Sequence, residues 1–377
     1  MAYDKSEKIL YLESLRGIAA ICVALFHARH YNSFIQDIGF ISNSGLMVDF
    51  FFVLSGFVIA LSYSNKLNSF KDLLVFQTKR FLRLYPLHIL MLLVFLLLEL
   101  FKYYAEINLG IKSTNDSSLN NVHSFINNIF LTHSFFVSDL TFNGQSWSIS
   151  TEFYTYLIFG LLFVVFRKNK ILLFLTFICI LFLAAYGVYS IHAETLISPQ
   201  SVTNGFGGIS RCLYSFFIGA IVYFLSNYIN IKVPLFLQYV ILFVSIFYVS
   251  GADTYPFHFI FAPIIFSILI FILINSEHSY LKHFLNNKFL VYLGTISYGI
   301  YMIHGLVWWL INRILVNVLN FDYQCAEVHI NCNIESGILI GNSSLIIGMV
   351  ITYYLSVLSY RFVEMPVNSY RHKLKFT

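Results

Sequence analysis

The sequence predicts an all-α fold, a polytopic bundle of about ten membrane-crossing helices. Three observations carry that prediction. Of the 377 residues, 58% are hydrophobic and only 11% charged, and the mean hydropathy is +0.74, whereas a soluble domain carries roughly 25% charged residues. Several windows of about 20 residues are almost free of charge, enough for a helix to cross a hydrocarbon core about 30 Å thick. These windows lack the period-2 alternation of barrel strands, and because lipid leaves unpaired backbone groups unsatisfied, helices are the structure they support.

Taken in order, the spans read as 10–31, 44–63, 84–104, 147–166, 171–191, 207–227, 234–250, 257–275, 290–316 and 339–361. The first follows Lys5 and Lys8 and superficially resembles a signal peptide, but no small-residue cleavage site follows and it contains Arg16 and His27, so it reads as a retained span. The second, GLMVDFFFVLSGFVIA, carries Asp49 and, in mid-span, the small residues Ser55 and Gly56, where another helix or a ligand can come close. The third is preceded by the basic stretch FQTKRFLRLYPLH, whose Pro86 predicts a helix start at the membrane surface. Between the third and fourth lie the polar KSTNDSSLNN and then VHSFINNIFLTHSFF, too short and polar to span, which reads as interfacial or re-entrant. No linker and no internal repeat divides the chain, so residues 1–377 read as one domain without the duplication many secondary transporters show.

Charge orients the bundle. With both termini in the cytoplasm, 17 of the 23 Lys and Arg fall on the cytoplasmic side, while Arg29, Lys102, Lys112 and Arg313 fall outside. That is the asymmetry of the positive-inside rule, and it explains the net +5 without a nucleic-acid partner. Five cysteines are too few for a disulfide scaffold. Cys22, Cys179 and Cys212 read as small apolar residues within spans, and Cys325 and Cys332 share a predicted outer loop, 317–338, where a disulfide and two free thiols both stay open.

Ionisable residues inside spans are the candidates for chemistry. Arg16 and His27 are eleven apart, close to three whole turns, so both project from one face about 16 Å apart along the axis. Such a pair suits a path for a substrate, and equally a snorkelling arginine with a hydrogen-bonded core histidine. Asp49, near the outer end of the second span, reaches the depth of His27, where an acid would orient a basic imidazole or form a structural ion pair. Arg80 and Arg83 fork toward one place at the inner end of the third span, as phosphate ligands do and as plain lipid anchors do. QSWSISTEFYTYLIFG gives the fourth span a polar mouth with Ser148 and Glu152, and Trp147, Tyr154 and Tyr156 form an aromatic rim fit for stacking on a sugar or for interface anchoring. His304 in the ninth span is either a packing hydrogen-bonder or a direct participant. Hydrolase elbows, zinc-protease motifs, nucleotide-binding loops and Cys/His metal spacings are absent from the sequence.

Leu15-Arg16-Gly17 through His27, VDFFFVLSGFVIA, KRFLRLYP, SWSISTEFYTY, ISYGIYMIH and the closing RFVEMP together resemble the acyltransferase-3 family of membrane acyltransferases, over about positions 8 to 367. Six short motifs in order on ten spans make the resemblance specific. It implies an enzyme that O-acylates an extracytoplasmic glycan such as an O-antigen, capsule or other surface polysaccharide, in the stand-alone form without a C-terminal hydrolase-like domain. By that similarity the donor is cytoplasmic acyl-CoA, most often acetyl-CoA, held by Arg80 and Arg83, with Arg16 guiding its arm and no metal involved. His27 is then the general base, oriented by Asp49, while Glu152, Ser148, Tyr154 and His304 meet the acceptor. The membrane is the bacterial cytoplasmic (inner) membrane, and self-association stays open. A transporter or flippase of a lipid-linked sugar or small solute is the competing class that the same buried charges allow. Transfer through an acyl-histidine and direct transfer in a ternary complex both fit, the direct route needing fewer steps.

Overall fold

The computed structural model describes residues 9–28, 31, 33–109, 119–137, 139–195, 205–229, 231–254, 257–277, 279–325, 332–334 and 337–376, with the backbone alone at 109, 191–195, 323–325, 332 and 333. Lys5, Lys8, Arg29 and Lys112, four of the cations in the charge reading, lie outside the described residues. The helices in chain order are α1 (Leu10–Phe26), α2 (Gly39–Ser42), α3 (Met47–Tyr63), α4 (Phe70–Leu109), α5 (Val122–Ile129), α6 (His133–Phe136), α7 (Trp147–Val165) and α8 (Lys170–Thr195), then α9 (Gly205–Tyr228), α10 (Phe236–Ser250), α11 (His258–Asn275), α12 (Tyr280–Leu285), α13 (Lys288–Thr295), α14 (Ser297–Arg313), α15 (Gly337–Ser359) and α16 (Met365–Lys373). A short antiparallel pair, β1 (Tyr323–Cys325) and β2 (Cys332–Ile334), sets the Cys325 backbone opposite Cys332. The side chains of both cysteines lie outside the described residues.

Among the described residues eight helical segments are long and apolar enough to cross a membrane, from Ser44–Tyr63 to Gly337–Lys373. The chain is an all-α multi-pass membrane protein. Two of the ten expected spans, 10–31 and 234–250, form helices of 17 and 15 residues, below the length of those eight.

Two expected boundaries move. Pro86 does not start a helix: α4 begins sixteen residues earlier, at Phe70, and runs through the proline. The start is set by a Ser-x-x-Asp box, in which the Asp72 N–H donates to Ser69 Oγ at 3.2 Å while the Asp72 carboxylate accepts from the Ser69 hydroxyl at 2.8 Å and the Asn68 N–H at 3.3 Å. At Pro86 the helix gives up one hydrogen bond, a loss that membrane helices tolerate. The expected span 290–316 is broken at Ile296 into α13 and α14.

The described chain forms two compact units, one of residues 1–64 and 214–358, the other of 65–213 and 359–377. In the first, α13 lies against α1 at two glycines. A Cβ on Gly17 would strike the Gly294 nitrogen, and one on Gly294 would strike the Glu13 carbonyl. The mid-span Gly56 serves helix approach: a Cβ there would strike the Phe216 carbonyl of α9, and one on Gly219 would strike the Val53 carbonyl of α3. Gly56→Val is expected to cost more than the roughly 1–3 kcal/mol of an ordinary overpacked site, because backbone stands in the way. Thermal melting in detergent reads this, and a melting temperature equal to wild type would contradict it.

In the second unit α7 packs on α4, with Gly160 against Leu73 and Phe76, and Gln77 Nε2 donates to the Phe153 carbonyl at 3.1 Å. The segment 119–137 forms the short helices α5 and α6, too brief to span, and is fastened to α7 and α4 from several points. The Ser150 hydroxyl donates to the Leu131 carbonyl at 2.5 Å, the Ser134 N–H donates to Ser150 Oγ at 3.3 Å, and His88 of α4 stacks on His133 with ring centroids 5.7 Å apart. Burial, with His88 beside it, pushes the His133 imidazole down to about 3, so this fastening is neutral at physiological pH.

Candidate active site

In the first unit, α1 keeps its pitch to the end. His27 is its C-cap, with φ −78° and ψ −5°, and its N–H reaches the Val23 carbonyl at 3.2 Å. The eleven-residue step from Arg16 to His27 therefore covers three turns. Arg16 Nη1 lies 3.5 Å from Glu13 Oε1, the two side chains 25% and 13% exposed, so its charge is partly balanced and partly open. The ring of His27 is half-buried, and its Nδ1 sits 2.9 Å from the Val23 carbonyl oxygen. A carbonyl only accepts, so Nδ1 carries a proton, and in its neutral form the ring holds its lone pair on Nε2.

His304 stands beside it. Its Nε2 is 3.2 Å from His27 Nδ1, the ring centroids are 5.0 Å apart at 36°, and the residue is fully buried. The register of α14 on α1 explains the meeting. One turn beyond His304, Trp308 Nε1 donates to the Ala24 carbonyl at 2.8 Å, and Tyr31 donates to Asn312 Oδ1 at 2.6 Å. Residues four apart share a helix face, so pinning Trp308 to Ala24 brings His304 to His27. Asp49, also fully buried, accepts from the Ser215 hydroxyl at 3.3 Å, within the tight α3–α9 crossing.

In the second unit, Arg80 and Arg83 both lie inside α4, and they meet different neighbours. Arg83 Nη1 is 2.7 Å from Glu364 Oε2, with side chains 22% and 3% exposed. Glu364 closes a wide π-helical turn, Tyr360–Glu364, of the kind often found at functional positions. The Arg80 guanidinium lies over the Tyr156 ring, 5.8 Å from its centroid. The Tyr156 hydroxyl in turn donates to Glu152 Oε1 at 2.5 Å, giving a line from Arg80 through Tyr156 to Glu152. Ser148 is buried and donates to the Gln145 carbonyl at 3.3 Å. Tyr154 donates to the Phe130 carbonyl at 3.1 Å, a further fastening of the 119–137 segment. The buried Arg211 of α9 lies 5.3 Å from the Trp147 ring centroid.

Several participants were not singled out from the sequence. Glu13, three residues before Arg16, offered a legible helical signal. Glu364 sat in RFVEMP with no assigned role, Tyr156 was read only as part of the rim, and nothing in the sequence joined His27 to a residue 277 positions away.

The acyltransferase-3 family profile, an acyltransferase domain, matches residues 9–361. Peptidoglycan O-acetyltransferase OatA of Listeria monocytogenes serovar 1/2a is 27% identical over 95% of this chain and 56% of its own length. Protein 2 in the picA locus of Rhizobium radiobacter is 40% identical over 93 residues, 24% of this chain and 46% of that protein. The chain thus spans about half the length of these curated relatives. No solved structure gives a significant match. With nearly all of its length inside the matched region, the chain belongs to the acyltransferase-3 family.

Proposed function

We propose that the chain is an O-acetyltransferase of a bacterial cytoplasmic membrane, moving the acetyl group of cytoplasmic acetyl-CoA to a hydroxyl of an extracytoplasmic polysaccharide. Family membership supports acyl transfer, and the relative aligned over 95% of the chain is by name a peptidoglycan O-acetyltransferase. The observation that carries the chemistry is His27, an imidazole at a helix end whose Nδ1–H is committed to a carbonyl, which leaves the basic lone pair on Nε2. In the proposed step Nε2 takes the proton of the acceptor hydroxyl and the oxygen attacks the thioester carbonyl. The C–S bond breaks, and the proton passes from His27 to the departing CoA sulfur. Arg80 and Arg83 hold the donor's phosphates, and Arg16 steers the donor's arm. Glu152, kept in place by Tyr156, and Ser148 meet acceptor hydroxyls, with Tyr154 holding the segment beside them, and Asp49 is assigned to orient His27.

Binding of acetyl-CoA to the detergent-purified chain tests this. Binding should weaken with salt, and Arg80→Ala should lower affinity about tenfold or more. A carrier of lipid-linked sugars would ignore acetyl-CoA, and that result would favour the flippase reading.

A further inference from the structure

We infer that His304 is a positioning residue whose Nε2 lone pair shares the His27 Nδ1–H with the Val23 carbonyl, in a bifurcated hydrogen bond, and strengthens its part of that bond as His27 takes up a proton. The inference rests on the reading of His27 as the base and assigns His304 a role other than contact with the acceptor.

The hydrogen-bond directions follow from the atoms. His304 Nδ1 is 3.0 Å from the Ile300 carbonyl oxygen, which can only accept, so Nδ1 is the protonated nitrogen of a neutral His304 ring. Its Nε2 then has a lone pair, and that atom faces His27 Nδ1 at 3.2 Å. His27 Nδ1 is a donor on the independent ground of its 2.9 Å contact with the Val23 carbonyl. The two histidines therefore agree on one arrangement: Ile300 carbonyl, His304 N–H, His304 lone pair, His27 N–H, with the basic lone pair at His27 Nε2.

Val23 alone suffices to hold the tautomer, so the role of His304 lies elsewhere. When His27 accepts the acceptor's proton at Nε2, its ring becomes a cation and Nδ1–H becomes a stronger donor. A hydrogen bond to a charged partner is worth more than one between neutral groups, so an acceptor at 3.2 Å stabilises the protonated state more than the resting one. That difference acts on the transition state and not on donor binding. Full burial of His304 and the Trp308–Ala24 bond one turn away keep the lone pair aimed at His27.

Inverted membrane vesicles from expressing cells carry the native acceptors and take acetyl-CoA from the medium; CoA thiol release then gives kcat and KM for the chain. His304→Ala and His304→Phe are expected to lower kcat about ten- to a hundredfold, with KM for acetyl-CoA unchanged within about twofold. His304→Gln, whose side-chain oxygen can stand near the place of Nε2, is expected to restore kcat to within about fivefold of wild type, at equal folded amounts by fluorescence-detected gel filtration. Wild-type turnover in His304→Phe, an effect on KM alone, or an equal loss in His304→Gln and His304→Phe would each overturn the inference. Full turnover in His27→Ala would instead overturn the base reading on which it rests.

Discussion

His27→Ala is expected to lower acetyl transfer by roughly a hundred- to ten-thousandfold, the range that a positioned general base supplies. Donor binding should be preserved, because the lost interaction forms with the hydroxyl proton as it transfers. Folding should also survive. His27 caps α1 as a half-buried residue, and α1 stays fixed through Trp308 Nε1 to the Ala24 carbonyl and through the Gly17–Gly294 contact. His27→Gln offers a hydrogen-bonding group without a titratable nitrogen and should be as inactive as the alanine variant. Steady-state CoA release with matched protein amounts checks this, and substantial turnover in the glutamine variant would remove the proton-transfer role.

Arg83→Ala and Glu364→Ala should each cost about 3–5 kcal/mol, the penalty for leaving one member of a buried ion pair uncompensated. Glu364 is the more deeply buried partner, 3% exposed against 22% for Arg83, so removing Arg83 takes the hydrogen-bonded cation from the more costly charge and leaves it the attraction of Arg371. Replacing both, as Arg83→Met with Glu364→Leu, should recover most of the loss, since a packed apolar pair often matches a buried ion pair in stability. A double-mutant cycle of thermal melting in detergent measures the coupling, and additive losses would deny the pair its energetic role. The same double variant separates two functions of Arg83. If Arg83 also holds a donor phosphate, recovered stability should come without recovered acetyl-CoA binding.

Most of the helices could be read from hydropathy, because apolar length is a local property of the sequence. What moved were boundaries set by other physics. The sequence reading starts this helix at Pro86, whereas the Ser69–Asp72 box starts it sixteen residues earlier, and the helix runs through the proline because a membrane helix tolerates the lost hydrogen bond. The break at Ile296 adjoins the crossing in which Gly294 meets Glu13, a contact between residues far apart in the chain. The site divides in the same way. Arg16, His27 and Glu152 stood out because ionisable groups in apolar runs are conspicuous. The small residues at Ser55 and Gly56 left helix approach and ligand approach open, and the Phe216 carbonyl answers with a helix. The partners of the conspicuous residues were hidden: His304 for His27, Glu364 for Arg83 and Tyr156 for Glu152 are set by tertiary register, which spacing within one helix does not encode.

Ester-linked acetate on surface polysaccharide is the decisive quantity. Polysaccharide from cells making the wild-type chain, the His27→Ala variant or neither should be hydrolysed with mild base and its released acetate measured. Acetate present with the wild-type chain and at background in the other two is the expected result. Equal acetate in all three, with the protein present in the membrane, would contradict a role for this chain in acetylating the glycan.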